Sequence, residues 1–333
     1  MHMEFHNKRR QQFLSEAAYV STTKFFKEVA APGYLKSLSR SDFDAEDKAR
    51  VADAYADETF ADYLLRYTAG EPIAILRDEL DFVVSAYENA THFVRLYEKN
   101  ESFPALRFVE IDEYERVLQM IGLCFLMHRR DLLPRVAAMF DPAFSDKDTL
   151  YEDMLSFDLK DRFELDRWYH DIPYRDLINT MYRDTDEESL ADFERYFKGW
   201  YKSFKKAPWH DSHLSINENT CAGYFGYWAI EAAALVYLME FDDSAFRENI
   251  VYPKDLVDFA KKMELTFKSA QESPERTHSP VKGGLRAPET GYWTTPAGQG
   301  SLKFFNKGDI MPNFDNSPYG ETIWQWSDNQ SME

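Results

Sequence analysis

A chain of 333 residues, 44% hydrophobic and 16% aromatic, can bury a large core, which excludes general disorder. Its 58 acidic and 39 basic residues leave a formal net charge of −19, a surface that repels nucleic acid and attracts a basic protein at low salt, plain solubility being the simpler use of the same charge. Only Cys124 and Cys221 are present, too few for a disulfide scaffold; they read as reduced, structural thiols.

Met1 to Arg10 carries basic residues without the apolar run of a secretory signal, so the expected compartment is the cytoplasm. Residues 5–30 place Phe13, Ala17, Val20, Lys24 and Lys27 at helical steps, and Pro32-Gly33 is expected to stop that helix. A second helix is predicted from about Asp44 to Tyr67, ended by Gly70, and Pro72 opens a third. There Ile73, Leu76, Leu80, Val84, Tyr87, Val94 and Tyr97 form one stripe, the clearest amphipathic pattern of the chain. A fourth helix, about Ile111 to Arg129, is apolar nearly all round from Met120 to Met127, so it should lie between its neighbours. Residues 1–140 thus read as an N-terminal helical bundle.

Phe140 to Asp161 is rich in acidic and turn residues, a soft boundary that opens a second helical part over 141–270. Helices are predicted at about 148–157, 171–182 and 187–206, the last opening with Asp186-Glu187-Glu188, where carboxylates complement the helix dipole. Pro208 closes it, and Trp209-His210-Asp211-Ser212-His213 makes a loop into the stretch Gly223 to Met239. In that stretch Glu231 is the single charge, and small residues sit among aromatics. It reads as the buried central helix, with Tyr227, Trp228 and Glu231 in the structural core. As a membrane span it would place a carboxylate at the bilayer centre, at a cost of about 3 kcal/mol. Asp242-Asp243-Ser244 is a turn, and Pro253 begins a helix to about Phe267.

The last part, 271–333, is read as a linker plus an aromatic, hairpin-like tail. Ser273 to Pro288 is a linker or ordered arm, followed by β-prone pieces at Tyr292-Trp293-Thr294, Leu302 to Phe305, Ile310-Met311 and Ile323 to Trp326. Exposed aromatics at this density would aggregate, so the tail is expected to pack on the bundle. The expected fold is therefore mostly α, a multi-helix bundle in two parts with a short β-rich tail.

The run Tyr224-Phe225-Gly226-Tyr227-Trp228-Ala229-Ile230-Glu231-Ala232-Ala233-Ala234, then Asp242-Asp243-Ser244, then Tyr252-Pro253-Lys254-Asp255-Leu256-Val257 resembles the C-terminal domain of PoNi-type immunity proteins over roughly 140–270. The resemblance implies an all-helical bacterial antitoxin that binds and blocks a nuclease toxin, a DNase of a type VI or contact-dependent secretion system. It implies no enzymatic activity and no cofactor. A protein partner is expected, with neither nucleic acid nor membrane; a homodimer stays open.

Carboxylates on predicted surface elements are candidates for the toxin-binding face: Asp146, Asp148, Glu152, Asp153, Asp184, Asp186, Glu187, Glu188, Asp242 and Asp243. Each by itself reads as a solvated helix end; together they suit a basic DNA-binding cleft. The alternative is a metal-dependent hydrolase on His210, Asp211, His213 and Glu231, residue types normal for metal ligation. Capping and packing beside Trp209 is the plainer role for the loop. Cys124 and His128 stand four apart on a helix, but among Leu123, Phe125, Leu126 and Met127 a thiol is unreactive. Glu231 needs a hydrogen-bonding partner, a Tyr, Trp or Arg. The chain carries no Walker loop, dinucleotide fingerprint, G-x-S-x-G elbow or Cys-x-x-Cys pair.

Overall fold

The computed structural model describes residues 2–272, 279–297, 302–314 and 320–327, and within them the chain is mostly helical with a small sheet near the C-terminus. Two units divide it, residues 1–265 and 266–333. The helices are α1 (His2–Lys8), α2 (Glu16–Phe25), α3 (Ala31–Leu38), α4 (Ala45–Thr68), α5 (Ile73–Glu98), α6 (Ile111–Leu126), α7 (Leu133–Phe144), α8 (Thr149–Ser156), α9 (Asp171–Asn179), α10 (Asp186–Ser203), α11 (Ile230–Leu238) and α12 (Lys254–Glu272). Among the described residues no helix is long and apolar enough to cross a membrane.

The long amphipathic pair α4 and α5 forms the main helical hairpin. Beside it α6 is buried almost throughout, from Val117 to Leu126, because it has apolar side chains on every face. Its partner is α11, and Gly122 lets them approach. A Cβ at Gly122 would stand 3.0 Å from the Ile230 carbonyl oxygen, so a larger residue would force the helices apart. One continuous core runs from Leu14 through Leu118, Phe140, Leu155 and Trp200 to Ala260.

Three readings of helix extent need correction. The N-terminal helix is interrupted, and α2 restarts at Ser15, whose side chain accepts from the Ala18 N–H. Arg10 lies in the break, its guanidinium donating to the carbonyls of Tyr67 and Glu71. Pro32-Gly33 does not end the helical path. A π-turn over Phe26–Ala30, with the Ala31 N–H reaching the Phe26 carbonyl, leads into α3, and Pro32 falls in the first turn, where its missing N–H leaves nothing unpaired. Finally, α7 occupies part of the expected turn-rich boundary, with Pro134 in its first turn and Pro142 inside it.

The central stretch differs most. Only Ile230–Leu238 is helical, and 223–229 is non-helical chain running into it. Gly226 has φ +109°, and a Cβ there would meet Thr68 Oγ1 and Trp228 Nε1 at 2.2 Å each. Side chains from the N-terminal part replace the helical hydrogen bonds. Gln11 Oε1 accepts from the Tyr227 N–H at 2.9 Å, and Gln11 Nε2 donates to the Tyr227 carbonyl at 2.6 Å. Thr68 Oγ1 donates to the Phe225 carbonyl at 2.7 Å and accepts from Trp228 Nε1 at 2.8 Å. A buried backbone must be satisfied by some partner, and here it comes from residues 157 and 216 positions away in the chain.

In the second unit, β1 (Val281–Lys282), β2 (Gly291–Thr294), β3 (Leu302–Phe305) and β4 (Ile323–Trp326) form an antiparallel sheet in the order β1-β4-β2-β3. Thr294 pairs with Leu302 across β2 and β3, and Trp293 with Trp326 across β2 and β4. Trp293, Phe305, Met311 and Trp324 bury one another. Ile310 joins through a bridge to Arg286. The expected arm of 273–288 is thus strand at 281–282, and residues 273–278 lie outside the described residues.

Candidate functional site

The proposed binding acids separate into an interior and an exterior group. Asp148, Glu152 and Asp243, expected on the surface, are buried. Asp148 caps α8, accepting from the Tyr151 N–H at 2.9 Å, and also accepts from Tyr114 Oη at 2.6 Å and the Tyr169 N–H at 3.0 Å. Burial raises its pKa despite these bonds. Glu152 holds the incoming loop, accepting from the Asp146 N–H at 2.9 Å and from Arg162 Nε at 2.7 Å. Asp243 accepts from Tyr252 Oη at 2.9 Å and Arg247 Nη1 at 2.7 Å. A carboxylate so enclosed is unavailable to a partner. The sequence did carry a signal for Asp148: an Asp directly before the apolar run Thr149-Leu150-Tyr151 is an N-cap pattern.

The others are exposed, except for Asp153. Asp146 is paired with Arg167 at 3.5 Å, and Asp153, half-buried on α8, accepts from Tyr182 Oη at 2.6 Å. Asp184 precedes α10; Thr185 caps the helix, and Asp186, Glu187 and Glu188 form its first turn, all exposed. Asp242 is exposed and accepts from the Ser244 N–H and hydroxyl, bonds that hold its carboxyl below the usual range.

Of the residues of the hydrolase alternative, His210 Nδ1 and Asp211 Oδ2 stand 3.3 Å apart, but Glu231 does not join them. His210 stacks on Tyr201 at 4.2 Å, and Asp211 accepts from Tyr201 Oη at 2.6 Å. His213 Nδ1 lies 2.8 Å from the hydroxyl of buried Tyr227. Glu231 is enclosed elsewhere, its Oε1 accepting from Tyr196 Oη at 2.6 Å and Trp200 Nε1 at 3.2 Å. Among the described residues no group of three or more His, Cys, Asp or Glu is placed to hold a metal ion.

Glu231 and Glu115 form a buried acidic pair. Glu115 accepts from Trp209 Nε1 and Gln119 Nε2, each at 2.9 Å. Burial pushes Glu231 up to about 7. Burial and then the charge of Glu231 push Glu115 well above the ordinary carboxylate range. Glu231 Oε2 and Tyr174 Oη are buried without a hydrogen-bond partner among the described residues. Desolvation pushes the Cys124 thiol up to about 12, so it is not a nucleophile near neutral pH.

Sequence reasoning passed over the loop 161–168 and Tyr182. Thr149 Oγ1 donates to the carbonyls of Leu165 and Arg167 at 3.0 and 2.9 Å, laying this loop along α8. Phe163, Glu164 and Asp166 are exposed upon it, and Tyr182, just after α9, is exposed as well. Desolvation first, then Asp153 and the charges of Glu164 and Asp166, raise the Tyr182 pKa. No periodicity marks these residues; an aromatic followed at once by acid, as in Phe163-Glu164, was the available hint.

Residues 146–256 match the family model described as PoNe immunity proteins (PoNi), C-terminal. Comparison with curated proteins found no match. Among solved structures, the crystal structure of protein PA2201 from Pseudomonas aeruginosa is similar, with a TM-score of 0.60 and 20% identity over 79% of this chain and 96% of that one. At that identity the likeness concerns the fold.

Proposed function

We propose that this protein, with a PoNi C-terminal match over 146–256, neutralises a cognate PoNe nuclease toxin by stoichiometric binding. The family match is the observation that carries the reading, and immunity is the function of that family. The finer mechanism is occlusion: acids outside the core lie where substrate phosphates would sit in the basic cleft of a DNase. Asp146, Asp153, Asp184, Asp186, Glu187, Glu188 and Asp242 supply charge from outside the core. A net charge of −19 raises the rate of encounter with a basic surface and disfavours acidic competitors. No covalent step and no cofactor are required, and the site of action is the cytoplasm of the cell that must survive the toxin.

The experiment mixes the purified protein with the nuclease encoded beside its gene. Equimolar protein should abolish DNA cleavage and co-elute with the toxin on gel filtration. Undiminished cleavage with no complex overturns the reading.

A further inference from the structure

Resting on that reading, we propose that Phe163 and Tyr182 are the aromatic anchors of the interface, each taking an arginine or lysine side chain of the basic toxin. Both rings face solvent, 47% and 59% exposed. Before any partner arrives, Tyr182 is held by its side chain and Phe163 by its backbone. The Phe163 N–H donates to Glu152 Oε2 at 3.3 Å, beside Arg162, which is anchored on Glu152 and Asp141. The Tyr182 hydroxyl donates to Asp153 Oδ2 at 2.6 Å. A ring already fixed, as that of Tyr182 is, loses little conformational entropy on binding, and an exposed ring on an anchored backbone loses less than one on a free loop, which is how a few aromatic residues come to dominate an interface.

The surrounding charge selects the occupant. Asp153, Glu164 and Asp166 all act on Tyr182, and Glu164 acts on Asp153 as well. The arginines of the same stretch are engaged. Arg162 turns inward with its side chain 10% exposed, Arg183 is held on buried Asp192 at 2.6 Å, and Arg167 donates to the Asp146 carbonyl. An aromatic face flanked by carboxylates without free arginines suits a guanidinium, which can stack on the ring and donate to the acid at once. A neutral apolar partner would leave those carboxylates desolvated and unpaired.

The test measures affinity and association rate for the toxin encoded beside the gene, using wild-type protein and four variants. F163A/Y182A should weaken the complex at least about thirtyfold, the scale of two aromatic anchors, with an unchanged thermal melt. Tyr182→Phe keeps the ring but frees it from Asp153, and should fall between wild type and F163A/Y182A. E164K/D166K should slow association at least about tenfold and flatten its salt dependence. Phe82→Ala, on α5 and 68% exposed, lies outside the matched residues and should change nothing.

If wild type binds and F163A/Y182A binds within threefold of it, or if Phe82→Ala is the variant that fails, the anchors are elsewhere while the immunity reading stands. Should F163A/Y182A melt early, E164K/D166K decides: an unchanged association rate overturns the proposal. A wild-type protein that does not bind overturns both.

Discussion

Replacing Glu231 by Gln should stabilise this protein, and the gain should grow with pH. The carboxyl lies fully inside the core with a pKa pushed up to about 7 from an ordinary 4.5, so the folded state holds its proton more tightly than the unfolded chain does. A neutral Glu231 therefore costs nothing extra below about pH 4.5. The penalty builds as pH rises from 4.5 to 7 and is complete above 7, where the rise from 4.5 to about 7 corresponds to about 3 kcal/mol. Glutamine does not titrate, and its carbonyl oxygen still accepts from Tyr196 and Trp200, the bonds made by Oε1. Relative to wild type, Glu231→Gln should gain about 2 to 3 kcal/mol more at pH 8 than at pH 5. Urea unfolding at both pH values measures this double difference. An offset that is the same at both, or larger at pH 5, would refute a raised pKa and with it the account of a buried, partly unsatisfied acid. Glu231→Ala is the control: it leaves two buried donors without an acceptor and should destabilise at either pH.

Gly226→Ala should cost at least about 2 kcal/mol in urea unfolding, because φ +109° and two 2.2 Å approaches leave no room for a methyl group; a neutral result would mean that the segment before α11 is misplaced. Asp148→Ala removes a cap and orphans donors from Tyr114, Tyr151 and Tyr169, for a loss of at least about 2 kcal/mol. Asp186→Ala, exposed on α10, should stay within about 0.5 kcal/mol; equal losses would contradict the division into interior and exterior acids. Cys124, with a thiol pushed from 9.0 up to about 12, should react with a disulfide reagent at pH 8 roughly a thousandfold more slowly in the native protein than after denaturation; rapid native labelling at this cysteine would refute its enclosure.

How much of this was legible beforehand depended on whether a residue's role is set by near neighbours. Helices α4, α5, α6 and α10 could be placed because their apolar positions recur at helical steps, and the strands β2, β3 and β4 because aromatics stand between turn residues. A π-turn that carries the chain past Pro32 left no such trace, nor did a prolyl residue tolerated inside α7. Gly223 to Ala229 misled for a related reason. Apolar composition says that a segment is buried, while its conformation followed from Gln11 and Thr68, which supply the hydrogen bonds a helix would have supplied itself.

From the sequence alone came a helical, acidic protein with Glu231 in its interior and a resemblance to PoNi-type immunity proteins over roughly 140–270, because local periodicity, net charge and an ordered motif survive without coordinates. The tertiary structure decided which acids are available. Asp148, Glu152 and Asp243 have the same charge as Asp186 and Glu187, yet the first three are enclosed by tyrosines and arginines while the last two meet water. Solvent access depends on what other segments cover a side chain, and that information is spread over contacts far apart in the chain.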